Sequence, residues 1–244
     1  MPLEPRQLTG ADDSHLVELP DGHRLQRAAA EAFLRLQRDA AAAGFDLAIA
    51  SSFRSFQRQL LIWNGKAGGE RPVHDDRGAP VALDTLPPPA RVRAILRYSA
   101  LPGASRHHWG TDLDVYDAGA LAAGERVQLV PAEVAPGGVF DALHRWLDER
   151  MAAGASHGFY RPYALDRGGV APERWHLSFA PLAQDCSGRV DARLLRDCWA
   201  RELARGTLAL QEAVEAALEE IVERYVEVPA GWCPAVPGER TAPR

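Results

Sequence analysis

Ser105-Arg106-His107-His108-Trp109-Gly110-Thr111-Asp112-Leu113-Asp114 places two histidines, two aspartates and Ser105 within ten positions. The end of this stretch, running on as Leu113-Asp114-Val115-Tyr116-Asp117, alternates apolar and acidic residues, the period of a half-buried strand, so Asp112 and Asp114 share one face. A second stretch, Glu173-Arg174-Trp175-His176-Leu177-Ser178-Phe179, repeats the pattern, with His176 and Ser178 on the face opposite Trp175, Leu177 and Phe179. Read together, the two stretches offer the donors of a mononuclear zinc hydrolase site. The rest of the chain is read for whether it can build and feed one.

The 244 residues suit one globular domain, or one with a sizeable appendage. With 46% hydrophobic and 25% charged residues the composition is that of an ordinary globular protein, which excludes disordered and fibrous classes. A net charge of −5 without a basic stripe argues against a general nucleic-acid binder, which needs clustered Lys and Arg to displace counterions from phosphates. No window approaches the ~18 consecutive apolar residues of a membrane span. The start, Met1-Pro2-Leu3-Glu4-Pro5-Arg6, lacks the basic and apolar regions of a secretory signal, so a cytoplasmic location is expected, or a periplasmic or wall-associated one if a leading segment is missing. Cys186, Cys198 and Cys233 have no C-x-x-C spacing and lie far from the His/Asp/Glu clusters, as reduced structural thiols would.

Outward from the two stretches, Leu25, Ala29, Ala32, Leu36 and Ala40 recur at helical spacing and predict a helix over 21–43 stopped by Gly44. Residues 45–51 read as a buried strand that delivers Arg54 to its end. Ser55 is an N-cap candidate for a helix through Trp63, with Gly65 as its stop. The Gly- and Pro-rich segment 65–89 is long for a loop and is expected to wall the cleft or to be a surface insertion. Short helices follow over 90–99 and 139–153, with a strand at His157-Gly158-Phe159-Tyr160 between the second helix and the Glu173 stretch. Beyond Pro181 two helices, roughly 190–204 and 207–225, are expected to pack on the core.

A catalytic zinc takes three protein ligands and keeps one position open. His107 and Asp114 can come from one loop-to-strand connection in which Gly110 lets the backbone fold back, and His176 from the other strand. Spacing alone leaves His108 as a rival to His107 and Asp112 as a rival to Asp114. Glu173, three residues before His176, is placed to act as a base. His15, His23, His74 and His144 sit in polar or helical contexts that suggest no ligand role.

Three motifs in order, Ser51-x-x-Arg54-Ser55-x-x-x-Gln59, Ser105-x-His107-x6-Asp114 and Glu173-x-x-His176, resemble the VanY-type D-alanyl-D-alanine carboxypeptidases of the M15 zinc metallopeptidases. Each motif is weak alone, and their conjunction spans Ser51 to His176. The resemblance implies that His107, Asp114 and His176 bind Zn2+ and that Glu173 is the catalytic base. It further implies that Arg54 grips the terminal carboxylate or the oxyanion of the scissile carbonyl, that Ser105 contacts the substrate near its terminus, and that Gln59 lines the same pocket and orients Arg54 or the carbonyl. His108 and Asp112 become supporting residues that hydrogen-bond the ligands. His157-Gly158-Phe159-Tyr160 resembles the family's Tyr-Gly-Phe strand with His in place of Tyr, and Arg161 stands one position off the family's arginine.

The resemblance implies an α+β fold, a small antiparallel sheet flanked by helices with the zinc at one face, and a C-terminal helical appendage. The corresponding division is a peptidase core over 1–183 and a helical extension over 184–244 packed on it. The implied activity is removal of C-terminal D-alanine from peptidoglycan stem peptides, D,D- or L,D-specific, by Glu-assisted attack of zinc-bound water. A D-Ala-D-Ala dipeptidase, an L-Ala-D-Glu endopeptidase and a peptidoglycan-binding module without catalysis are the alternatives.

Overall fold

In the computed structural model, which describes residues 2–203 and 206–228, a four-stranded antiparallel sheet carries the two decisive stretches side by side. Its strands are β3 (Leu47–Ser51), β4 (Asp112–Asp117), β5 (Phe159–Tyr160) and β6 (His176–Phe179), in the order β3-β4-β6-β5. Asp112 pairs with Ser178 and Asp114 with His176 in the β4/β6 register, so the polar residues of both strands fall on one face. The other face belongs to the core: Leu113, Val115, Leu177 and Phe179 pack there with Leu47, Ile49, Phe33, Leu36, Leu143 and Leu147. The last four come from α1 (Arg27–Ala42) and α4 (Asp141–Ala152), both of which cover that apolar face. The polar and apolar alternation thus separates the sheet into a site face and a core face.

The remaining elements present the site's loops. Ser55 caps α2 (Phe56–Ala67), its side chain accepting from Arg58 N–H, and α3 (Pro88–Leu96) packs beside α2. Gly65 does not stop α2, which runs on to Ala67 before Gly68; a glycine inside a helix costs only about 1 kcal/mol, and burial of Trp63 and Leu60 offsets it. The helix expected over 21–43 begins at Arg27, because Arg24–Gln26 forms strand β2 of a separate hairpin with β1 (Leu16–Glu18). Val139 likewise precedes its helix and is exposed.

After α5 (Ala192–Glu202) the continuous helix expected over 207–225 is broken into α6 (Gln211–Glu215), α7 (Leu218–Ile221) and a wide turn Val222–Val226. Leu210 enters α6 in the left-handed region and Ala217 is non-helical, which interrupts the hydrogen-bond ladder. These pieces share one apolar cluster with the first half of the chain: Leu195, Trp199, Val214 and Leu218 pack with Phe56, Trp63, Ile95 and Leu96. Trp63 Nε1–H donates to Ala209 O, and Trp199 Nε1–H to Pro102 O, just before the 105–114 stretch. Cys186 and Cys198 are buried free thiols, while Cys233 lies outside the described residues. Among the described residues no helix is long and apolar enough to cross a membrane.

Candidate metal centre

His107 sits in a single tight turn, Arg106–Trp109, which ends on Gly110. Gly110 adopts φ +69°, a left-handed conformation that calls for glycine, and a Cβ there would also press on Leu16 Cδ2. The reversal swings His107 back over β4, and the β4/β6 register supplies Asp114 and His176. One donor atom from each of the three residues lies within 4.8 Å of the others, and all three side chains are buried.

Hydrogen bonds fix which nitrogen each imidazole offers. His107 Nδ1 is 2.9 Å from Ser52 O, and since a carbonyl only accepts, Nδ1 carries the proton and Nε2 is left facing Asp114 Oδ2 at 3.3 Å. His176 Nε2 is 3.0 Å from Asp112 Oδ1, which leaves Nδ1 facing Asp114 Oδ1 at 3.1 Å. Asp114 Oδ1 is a buried acceptor with no hydrogen bond of acceptable geometry, although His176 Nδ1 lies beside it. Two imidazole nitrogens and a carboxylate oxygen are donors that a zinc ion takes. Asp112, Asp114 and Glu173 are the carboxylates of the cluster, and Arg54, Arg106 and Lys66 the cations around it. The donor set and its orphaned oxygen therefore fit a divalent zinc-type ion.

Electrostatics agree. Burial opposes protonation of His176, but Asp112 and Asp114 outweigh it and raise its pKa to about 9, so that without a metal this ring is protonated at neutral pH. Burial pushes the His107 pKa down. Asp114 is buried, which would raise its pKa, yet His107, His176 and Arg54 hold it well below the usual carboxylate range. Glu173 lies with Oε2 3.6 Å from His176 Nδ1, and burial pushes its carboxyl up to about 7.

Each residue singled out in the sequence has a definite place. Arg54 follows β3 and donates from Nη2 to Asp114 Oδ2 at 2.8 Å and from Nε to Ser51 Oγ at 2.9 Å, so its guanidinium lies at the metal group. Ser105 is buried at the start of the tight turn. Gln59 is fully buried and is not hydrogen-bonded to Arg54: its Nε2 donates to Ala100 O, and its Oε1 is a buried acceptor with no partner. Asp112 accepts from His176 Nε2, so it hydrogen-bonds a residue of the group. His108 does not: its ring bridges Arg54 O and Gly103 N–H, tying the arginine's backbone to the loop before Ser105. Arg161 points away from the site, bonded to Arg174 O, Asp148 and His144. Trp109 is buried, with the Arg106 guanidinium 4.6 Å from its ring centroid, and Trp175 packs in a small cluster with Val134 and Phe140.

Three participants are not legible in the sequence. Arg106 is buried and donates to Asp112, Tyr160 Oη and Ser178 Oγ, making it the counterion that keeps Asp112 ionised. Nothing in the sequence distinguishes it from the surface arginines. Tyr163 stacks edge-on against His176, with ring centroids 5.0 Å apart. Lys66, near the end of α2, lies close enough to Glu173 and Arg54 for their charges to act on it, and burial lowers its pKa to about 8.

Two buried histidines and one buried carboxylate, with a second carboxylate alongside, are the donor set of the mononuclear metal sites that hydrolases build. The chain belongs to the VanY D-alanyl-D-alanine carboxypeptidase family, whose sequence model matches residues 22–182. Two uncharacterised proteins of Haemophilus influenzae are related to it. One is 51% identical over 105 residues, covering 41% of this chain and 72% of that protein; the other is 32% identical over 128 residues, covering 52% and 92%. The fold is shared with a zinc-complexed variant of the vancomycin-resistance D,D-pentapeptidase VanY of the VanB-type cassette, at 22% identity and a TM-score of 0.50 over 87% of this chain and 93% of that one. The LD-carboxypeptidase LdcB aligns at 18% identity and a TM-score of 0.49, over 90% of this chain and 82% of that one.

Proposed function

We propose that the protein is a zinc-dependent carboxypeptidase that removes a C-terminal D-alanine from peptidoglycan stem peptides, with His107, Asp114 and His176 as zinc ligands. The observation that carries this is the convergence of those three donors within 4.8 Å beside Glu173 and Arg54. Membership of the D-alanyl-D-alanine carboxypeptidase family supports the same substrate class.

His107, Asp114 and His176 would hold the zinc ion, which would supply a Lewis acid to acidify water and polarise a carbonyl. Glu173 is the general base: its carboxylate takes a proton from the attacking water and returns it to the nitrogen of the departing D-alanine. A pKa raised by burial suits both halves of that transfer, because the group then accepts and releases a proton near neutrality. Arg54, already directed at the metal group by Asp114 and Ser51, stabilises the negative charge that develops on the scissile carbonyl oxygen. The terminal carboxylate lies one residue further on, about 3.8 Å of chain, where Ser105 contacts it and the field of Lys66 attracts it. Gln59 Oε1 is an unpaired acceptor for a substrate N–H. Asp112 and Ser52 O orient His176 and His107.

The test pairs two variants. Glu173→Ala is expected to abolish turnover with zinc still bound at one ion per chain, and His107→Ala to lose both. Near-normal turnover by Glu173→Ala would overturn the assignment.

A further inference from the structure

The connection between β5 and β6 carries Glu173 yet has no regular secondary structure between Tyr160 and His176. Ties on both sides therefore locate Glu173: after it, His176 N–H bonds Glu173 O and Arg161 bonds Arg174 O, and before it, Arg224 bonds Gly168 O beside the contacts that Arg97 makes. Glu173 N–H bonds Tyr163 O at 3.0 Å, and two residues earlier Ala171 N–H bonds the backbone carbonyl of Arg97 at 2.9 Å. The Arg97 side chain holds the same segment again, donating from Nη1 to Asp166 Oδ1 at 3.0 Å and to Gly169 O at 2.9 Å, with Nη2 on Asp166 Oδ2. Its remaining edge grips Asp76 bidentately, Nε to Oδ1 and Nη2 to Oδ2, both at 2.7 Å.

Asp76 belongs to a closed turn. His74 bridges Pro80, Val81 N–H bonds Val73 O, and the Asp75 carboxylate accepts from the N–H groups of Arg77 and Ala79. One guanidinium thus joins two loops that are far apart in sequence, and Tyr98, next in the chain, places its hydroxyl 3.4 Å from Asp76 within the electrostatic reach of Glu173.

The energetics indicate what this staple does. The Asp76 and Asp166 side chains are half exposed, and ion pairs of that kind add little to folding stability. Holding a base within hydrogen-bond reach of its proton matters far more, since a misplacement of about 1 Å can lower a rate by about 100-fold. Only a planar fork serves two carboxylates and a carbonyl at once, which lysine cannot do.

We propose that Arg97 is a positioning residue for the catalytic step: it locks the 166–171 segment, and Glu173 with it, to the 73–81 turn, so that the base and this turn keep a fixed relation. The proposal rests on the assignment of Glu173 as the base.

The test uses the full chain with zinc and the stem peptide that the parent protein cleaves fastest. Arg97→Met, Arg97→Lys and Asp166→Asn are compared for kcat, KM, zinc content and thermal midpoint. Positioning predicts that all three lose kcat, roughly 10- to 100-fold for Arg97→Met, with KM changed by less than about 3-fold, one zinc per chain and a nearly unchanged midpoint. It also predicts that kcat at saturating substrate falls with added salt in the parent but not in Arg97→Met, because the staple is screened. Arg97→Met with kcat within 2-fold of the parent would overturn it, as would losses matched by loss of folded, zinc-loaded protein. If Arg97→Met does not fold, Arg97→Lys and Asp166→Asn decide by the same criteria. A parent protein that cleaves no stem peptide would count against the hydrolase assignment itself, whereas an active parent with indifferent variants counts against Arg97 alone.

Discussion

Replacing Asp112 by asparagine keeps the shape of the side chain and removes its charge, and so separates two roles. Asp112 is fully buried and accepts from Arg106 Nε at 2.8 Å, Thr111 Oγ1 at 2.5 Å and His176 Nε2 at 3.0 Å. The neutral amide leaves Arg106 buried without a counterion, a change that typically costs about 3–5 kcal/mol. Tyr160 Oη, Ser178 Oγ and the Trp109 ring still face the guanidinium, which places the expected loss at the lower end, about 3 kcal/mol. Against a total stability of about 5–15 kcal/mol, such a loss is readily measured.

The amide oxygen still accepts from His176 but no longer raises its basicity, so zinc affinity is expected to fall by roughly 10- to 100-fold. Urea denaturation of the metal-free proteins reads the first effect, and competition with a chromophoric chelator reads the second. Adding Arg106→Met to Asp112→Asn should recover part of the stability, with a coupling of roughly 2–3 kcal/mol. A metal-free Asp112→Asn protein within about 1 kcal/mol of the parent, or strictly additive variants, would refute the buried-pair account.

Other consequences concern pH, substrate charge and the arginine. Glu173 must be ionised to act, so kcat/KM should rise tenfold per pH unit on the acid side and level off below its metal-free value of about 7, since a bound cation favours the carboxylate; a profile flat from about pH 4 to 7 would contradict this. For the metal-free protein, Glu173 and His176 both have raised folded-state pKa values. Stability should accordingly decline between about 4.5 and 7 through Glu173 and between about 6.5 and 9 through His176, giving an optimum on the acid side that urea titrations at several pH values would locate. Zinc uptake at pH 7 should release a proton from His176, read by calorimetry in buffers of different ionisation enthalpy. Lys66→Met should raise KM for peptides with a free terminal carboxylate several-fold while leaving amidated peptides unaffected. Arg54→Lys should lower kcat by more than 10-fold, because an ammonium cannot serve Asp114, Ser51 and a carbonyl oxygen together.

Much of the site's geometry was legible because strands have a period of two. The alternation in 112–117 and 175–179 puts Asp114 beside His176 in the observed register, and Gly110 marks the reversal that returns His107 to them. What pattern could not convey depends on partners distant in sequence. Arg24–Gln26 leaves the helical pattern for a hairpin because Leu16–Glu18 satisfies its backbone. Gln59 turns to Ala100, and His108 serves the backbone of Arg54 rather than a ligand. Arg106 and Arg97 are indistinguishable from surface arginines until folding brings their aspartates to them, and the long 68–87 segment gains its order partly from Arg97. Composition is silent on such pairings.

The most direct measurement is incubation of zinc-loaded protein with stem peptides of defined length, tetra-, penta- and dipeptide, followed by mass spectrometry of the products. The account predicts release of a single C-terminal alanine from the tetra- or pentapeptide, lost on chelation and absent in Glu173→Ala. Cleavage only of the free dipeptide, cleavage between the first two residues of the stem, or alanine release that persists in Glu173→Ala would contradict it.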